Sequence, residues 1–215
     1  MNEIVLKHVL PVVFEERRAQ LKSDVWLQDV AFRKGETGLV EAESGTGKSS
    51  LCSYIFGYRK DYTGLIRFDE QDINTLKVAD WVELRKQSLS MLWQDLRLFP
   101  ELTAWENVQI KNDLMHFQPE SQLHTWFEQL GIADKEQAKI GRMSFGQQQR
   151  VALIRALCQP FDFIFVDEPI SHLDERNAAI MGQMLMAEAR RQGAGVIATS
   201  IGKHMNLDYQ KVLKL

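Results

Sequence analysis

The chain has 215 residues, 26 basic and 29 acidic side chains, a formal net charge of −3, and 45% apolar residues. That describes one soluble domain, or one domain with a lobe, able to bury a substantial core. The near-balanced charge excludes the basic footprint of nonspecific nucleic-acid binding, so no nucleic-acid partner is expected. Cys52 and Cys158 are the only cysteines and form no C-x-x-C pair, which excludes a disulfide framework and a zinc signature.

No apolar run approaches the roughly 18 residues that a membrane-spanning helix needs. The opening MNEIVLKHVLPVVFEERR is hydrophobic, but Glu3, Lys7 and His8 interrupt it and no small-residue cleavage site follows. It reads as a strand rather than a signal peptide. IVLKHVL and VWLQDVAF predict short strands, antiparallel to each other, and the residues from Arg33 to Gly38 predict a turn. LVEA predicts a strand running into a glycine loop, and SSLCSYIFG a helix that stops near Gly57. GLIRFDEQDI predicts a strand and turn, and SLSMLWQ a further strand.

Between Asp95 and Met143 the character changes. TAWENVQI, ESQLHTWFEQLGI and ADKEQAKI carry helix-like apolar spacing and little strand signal. FGQQQRVALIRALC predicts an amphipathic helix ending before Pro160, and FDFIFVDEP a buried strand ending in two carboxylates. ERNAAIMGQMLMAEARRQG predicts a helix closed by glycine, AGVIATS another buried strand, and KVLKL a last short one. Alternating strands and helices imply an α/β fold on a mostly parallel sheet, with a helical insertion and an antiparallel N-terminal part.

Three stretches carry chemistry. VEAESGTGKSS, Val40 to Ser50, has the G-x-x-x-x-G-K-[ST] spacing of a phosphate loop, with Ala42 in the first glycine position. Phosphate oxygens need several N–H donors in a small concavity, so Gly45 and Gly47 bring the backbone close. Glu43, Ser44 and Thr46 complete the loop. Lys48 adds a cation for the terminal phosphates, Ser49 offers a hydroxyl to Mg²⁺, and Ser50 continues the helix whose N-terminus favours anions. In FIFVDEP, Asp167 stands where a strand-end carboxylate holds Mg²⁺, and Glu168 is a candidate general base for an attacking water. Alone, an apolar strand ending in Asp-Glu is as ordinary as any solvated strand end; the glycine loop upstream reverses that weighting. In MSFGQQQRVALIRAL, Ser144 and the Gly146 amide are donors at a helix N-terminus, flanked by Phe145 and Gln147.

With this third stretch the chain resembles the ATP-binding cassette family. The family signature L-S-G-G-Q, followed by a helix of Q-Q-R-V-A-x-A-R-A-L type, stands here as Met143 to Gln147 and then QQRVALIRAL. Gln94 in LWQDLRLFPELTAWENV resembles the family's Q-loop glutamine, which touches Mg²⁺ and senses the γ-phosphate. Ser171, His172, Leu173 and Asp174 match the D-loop. Phe14 lies where the family sets an aromatic ring against adenine, though a plain core role is as good a reading. Leu96, Leu98, Phe99 and Leu102 resemble the surface that grips a transporter's cytoplasmic helix; the bland reading is core of the helical lobe. The resemblance runs from about Val25 to Ser200.

The resemblance implies a P-loop NTPase cassette, with a RecA-like core over about 1–94 and 144–215 and a helical subdomain over about 95–143. It implies ATP and Mg²⁺ as ligands and a head-to-tail sandwich with a second cassette, identical or different. Integral membrane permease subunits are the further partners, with the cassette peripheral on the cytoplasmic face of the membrane. The size is nearest to the lipoprotein-release and cell-division group. Two other readings stay open: a nucleotide-switched regulator with little turnover, and a soluble cassette unconnected to transport.

Three positions depart from the family pattern. Ala42 replaces a glycine and matters only if that residue needs positive φ. Phe145 replaces the first glycine of the signature pair, which is expected to alter dimer geometry. Ser200 replaces the histidine that orients the attacking water in the family, and serine is shorter and cannot carry positive charge. A slow ATPase is therefore expected, unless His204 reaches back on a helical turn.

Overall fold

The alternation in EIVLKHVLP decides which face of the first sheet is buried. In the computed structural model, which describes residues 1–170 and 173–215, β1 (Glu3–Pro11) buries Ile4 and Leu6, then Val9 and Leu10. The phase change falls at His8, whose φ of 50° lies within a register shift between Lys7 and Leu10. A bulge here bends the strand and moves the buried set by one residue. β2 (Asp29–Arg33), β4 (Tyr62–Phe68) and β5 (Gln71–Asp72) complete an antiparallel sheet in the order β2-β1-β4-β5.

The second predicted strand is shorter than VWLQDVAF suggests. The Ser23 hydroxyl accepts the N–H groups of Val25 and Trp26, at 3.0 and 2.9 Å, and Leu27 takes φ 62°. Residues 25–28 are consequently a turn. Val12–Gln20, before it, is a 3-10 helical segment with no buried residue.

The second sheet contains β3 (Thr37–Glu41), β6 (Leu89–Leu92), β7 (Phe163–Asp167), β8 (Gly195–Ser200) and β9 (Lys211–Lys214). It is parallel throughout, in the order β6-β7-β8-β3-β9. Both faces are covered, which is why β7 and β8 read as apolar runs up to their polar C-terminal ends. Phe163, Phe165, Ile197 and Val40 face one cluster, shared with the antiparallel sheet and α1 (Lys48–Ile55). Ile164, Val166, Val196, Ala198 and Leu39 face the other, shared with α5 (Phe145–Leu157) and α6 (Glu175–Gln192). Each fully buried large side chain contributes about 1.5–3 kcal/mol of transfer free energy.

The helical stretch has no core of its own. Val108 of α3 (Ala104–Asn112) and Leu123, Trp126 and Phe127 of α4 (Glu120–Gln129) join the α5 cluster. ADKEQAKI, expected to be helical, makes only the 3-10 turn Ala133–Lys135 and, at its last residue, the start of another, Ile140–Arg142. Its backbone is committed elsewhere: the carbonyls of Glu136 and Ala138 accept the N–H groups of Trp105 and Ala104, and Lys139 bridges Thr103. The segment thereby satisfies amides at the start of α3, which otherwise lack intrahelical partners.

One helix carries little sequence signal. α2 (Val78–Gln87) buries only Trp81, with Val78 82% exposed, so its apolar periodicity is faint. Its start is held by the Asp80 carboxylate, which accepts the Lys77 N–H at 2.8 Å. Among the described residues no helix is long and apolar enough to cross a membrane.

Candidate functional site

Because β3, β7 and β8 are parallel neighbours, their C-terminal ends meet at one edge of the sheet, where open α/β sheets bind ligands. The loop after β3 begins at Ala42, whose N–H donates to the Ser200 carbonyl at 2.9 Å. Glu43, Ser44 and Gly45 are exposed. Thr46 turns back on Glu43, its hydroxyl donating to the Glu43 carbonyl at 2.8 Å. Gly45 has φ 82° and Gly47 φ 99°, conformations that only glycine adopts cheaply. Ala42 is not among the positive-φ residues, so alanine there carries no backbone penalty.

Lys48, the first residue of α1, is 6% exposed. A buried ammonium is costly unless paired, and two strand-end carboxylates pair it. Its Nζ donates to Glu168 Oε1 and lies 3.3 Å from Asp167 Oδ1. Glu168 occupies φ 48°, a conformation that costs a non-glycine residue about 1–3 kcal/mol and accompanies functional constraint. Its second oxygen accepts from Gln94 Nε2 at 2.9 Å. Asp167 is held from the neighbouring strand, in register with Thr199, whose hydroxyl donates to its Oδ1. Ser49, Gln94 and Asp167 line a cavity of about 300 Å³, together with Trp93, Asp95 and Arg97. Ser50 is turned to another use, accepting from Arg59 at 3.0 Å.

Ser200 is 1% exposed and its hydroxyl donates to the Lys203 carbonyl at 2.6 Å, closing a turn. The serine is thus occupied with the backbone. The segment after it is not helical, so His204 does not return toward the strand end; its ring packs edge-on to Tyr209, 5.6 Å between centroids. Phe14 lies in the 3-10 segment, half-buried, with its ring against Gly47.

The signature residues form a helix start. Ser144 caps α5 by accepting the Gln147 N–H at 3.3 Å, while Gln147 Oε1 accepts the Ser144 N–H at 2.9 Å. This reciprocal box leaves Ser144 exposed, beside Phe145 at 41% exposure and half-buried Gly146. Ser171 and His172 lie outside the described residues. Leu173 is buried in the core, and Asp174 caps α6, accepting the Asn177 N–H at 2.8 Å. That backbone donor, with the Asn177 side chain, holds the Asp174 carboxyl below its ordinary range. Of the apolar residues after Gln94, Leu96 is core, at 4% exposure, whereas Phe99 is 51% exposed.

Sequence reading missed Thr199 as a partner of Asp167, because only strand register brings them together. It also missed Gln149, whose side-chain amide donates to the Pro169 carbonyl at 3.4 Å and ties α5 to the turn after Glu168. Burial pushes the Cys52 thiol well above its usual range, Asp167 adding to the shift and Lys48 opposing it. Burial does the same at Cys158, so neither cysteine supplies a thiolate.

The arrangement is a glycine-rich loop opening a helix, a buried lysine, two strand-end carboxylates and a glutamine. Residues 28–171, about two thirds of the chain, match the ABC transporter family. The chain is 34% identical over 148 residues to the lipoprotein-releasing system ATP-binding protein LolD of Koribacter versatilis, covering 67% of this chain and 66% of that one. It is 33% identical over 175 residues to LolD of Legionella pneumophila, covering 80% and 77%. In fold it is similar to a dimeric bacterial ABC transporter cassette, with TM-score 0.74, 24% identity and coverage of 92% and 87%. It is also similar to a bacterial Atm1-family ABC exporter with ATP bound, with TM-score 0.80, 20% identity and coverage of 100% of this chain and 37% of that one. The chain belongs to the ABC transporter family.

Proposed function

We propose that this chain is the ATP-binding and ATP-hydrolysing subunit of an ABC transporter. The observation that carries the reading is the convergence of Lys48, Asp167, Glu168 and Gln94 beside the phosphate loop. The loop from Ala42 to Gly47 offers backbone donors to the phosphates. Lys48 neutralises them when it exchanges a carboxylate for a phosphate oxygen, which frees Glu168. Glu168 then takes a proton from the attacking water, and Gln94, bonded to the same carboxylate, orients it. Ser49, Gln94 and Asp167 provide hard oxygen donors of the kind Mg²⁺ prefers, and the chemistry supplied by that ion is charge neutralisation on the phosphates.

The finer assembly follows the same reading. Ser144, Phe145, Gly146 and Gln147 form a solvent-facing helix start suited to the phosphates of a second cassette. Asp174, at the start of α6, faces the same second cassette, and Phe14 lies beside the nucleotide. Residues 95–143 form the helical subdomain on a core of about 1–94 and 144–215. A groove of about 260 Å³ between the two, lined by Tyr58, Trp93, Arg97, Phe99, Lys111 and Arg155, supports docking of a permease segment. That docking makes the chain peripheral on the cytoplasmic face of a membrane.

Phosphate release from ATP by the purified chain, with and without its membrane partner, tests the reading. Turnover is expected in the wild type and not in Glu168→Gln. Equal phosphate release by both proteins would refute Glu168 as the base, and none from either, with partner present, would refute the enzyme.

A further inference from the structure

The phosphate loop rests on an indole. Trp26 is 1% exposed, and its Nε1–H donates to the Thr46 carbonyl at 2.9 Å. Among the described residues no other side chain from outside the loop donates to the backbone of residues 42–47. The ring also forms the floor beneath Gly47. A Cβ at that position would lie 3.0 Å from Trp26 Cζ2 and 2.9 Å from Phe14 Cε2.

Trp26 is itself held from several directions. Its N–H and that of Val25 donate to Ser23 Oγ. On either side, the Asp24 N–H donates to the Lys214 carbonyl at 2.7 Å and the Leu27 N–H to the Val9 carbonyl at 2.9 Å. The ring meets Tyr54 of α1 edge-on, at 6.5 Å and 67°. The donor is therefore fixed to β9, which pairs with the strand leading into the loop, and to β1.

A trans peptide points its C=O and N–H in opposite directions. Holding the Thr46 carbonyl down on the indole turns the Gly47 N–H away from it, toward the open side of the loop. We infer that Trp26 is a positioning residue of the phosphate loop, its indole N–H orienting the Thr46–Gly47 peptide so that the Gly47 amide is presented to a phosphate group. This rests on the nucleotide-binding reading above. Without the indole donor, the Thr46 carbonyl, in a partly exposed loop between two flexible glycines, is free to rotate. A carbonyl oxygen facing a phosphate repels it where an N–H would attract it.

The test is Trp26→Phe, which keeps an aromatic floor and removes the donor. The KM and Kd for ATP are expected to rise about five- to tenfold, the size of one hydrogen bond. The Kd for inorganic pyrophosphate should rise by the same factor, with kcat at saturating ATP within about twofold of wild type. A purely structural role would lower the folded fraction and the apparent kcat while leaving KM unchanged. Unchanged KM and Kd in folded Trp26→Phe overturn the inference. Where that variant fails to fold, benzothienylalanine at position 26 replaces the N–H by sulfur on the same ring shape, and the same criterion applies. Absence of ATP binding in the wild type would instead refute the nucleotide-binding reading.

Discussion

β7 and β8 are neighbours in one parallel sheet, both buried to their last residue, with Asp167 opposite Thr199 in register. Past that shared edge they diverge. β7 continues into Glu168, whose positive φ sets its carboxylate between Lys48 of α1 and Gln94. β8 ends in Ser200, whose hydroxyl turns back onto the Lys203 carbonyl in a turn containing Gly202 at φ 75°. The strands supply equivalent positions; the residue that follows the Asp167–Thr199 pair on each chain segment decides whether a functional group reaches outward or serves its own turn. The Ser200 hydroxyl is thus committed to its own turn. The paired charges of the site gather on the β7 side.

Substitutions at the two strand ends should separate accordingly. Glu168→Gln is expected to lower kcat at least about 100-fold, the usual scale for a general base, while equilibrium dialysis still finds ATP bound. Lys48→Ala should weaken ATP binding by about tenfold or more. It also leaves the buried Asp167 and the half-buried Glu168 carboxylates without their cation, an arrangement that costs about 3 kcal/mol, read as a lower urea midpoint. Thr199→Val removes the hydroxyl from Asp167, and the loss of one hydrogen bond to a charged group is about 1.5–3 kcal/mol. A denaturation curve matching wild type would show that β8 contributes nothing to the β7 site.

On the β8 side, Ser200→Ala is expected to keep kcat within about twofold and to lose at most about 1.5 kcal/mol of stability, from the turn alone. A tenfold fall in kcat would return Ser200 to the reaction. Smallest of all, Ala42→Gly should leave the Kd for ATP unchanged and cost about 0.5–1 kcal/mol through added backbone freedom, measured by thermal melts at fixed nucleotide.

Legibility in sequence followed how local the physics was. FIFV and VIA are apolar without a break because both faces of the parallel sheet are covered, and they read as buried strands on that ground alone. The glycine loop was legible because Gly45, Gly47, Lys48 and Ser49 are contiguous. VWLQ looked like strand from its composition, but one serine hydroxyl capturing two amides made it a turn. ADKEQAKI had helical spacing, yet its carbonyls were needed by the start of α3. α2 was silent because a helix burying one tryptophan leaves almost no periodicity.

The amino-acid sequence alone determined the family, the glycine loop and the two acidic residues, because those depend on residue types at fixed short spacings. Tertiary structure decided their pairing: Thr199 with Asp167, Gln94 with Glu168, and both carboxylates with Lys48. It also decided that Ser200 turns away and that Trp26 lies under Gly47. Those outcomes depend on strand register and on the direction of a single turn; the side-chain pairs at the strand ends join residues 32, 74 and 120 positions apart, which no local spacing encodes.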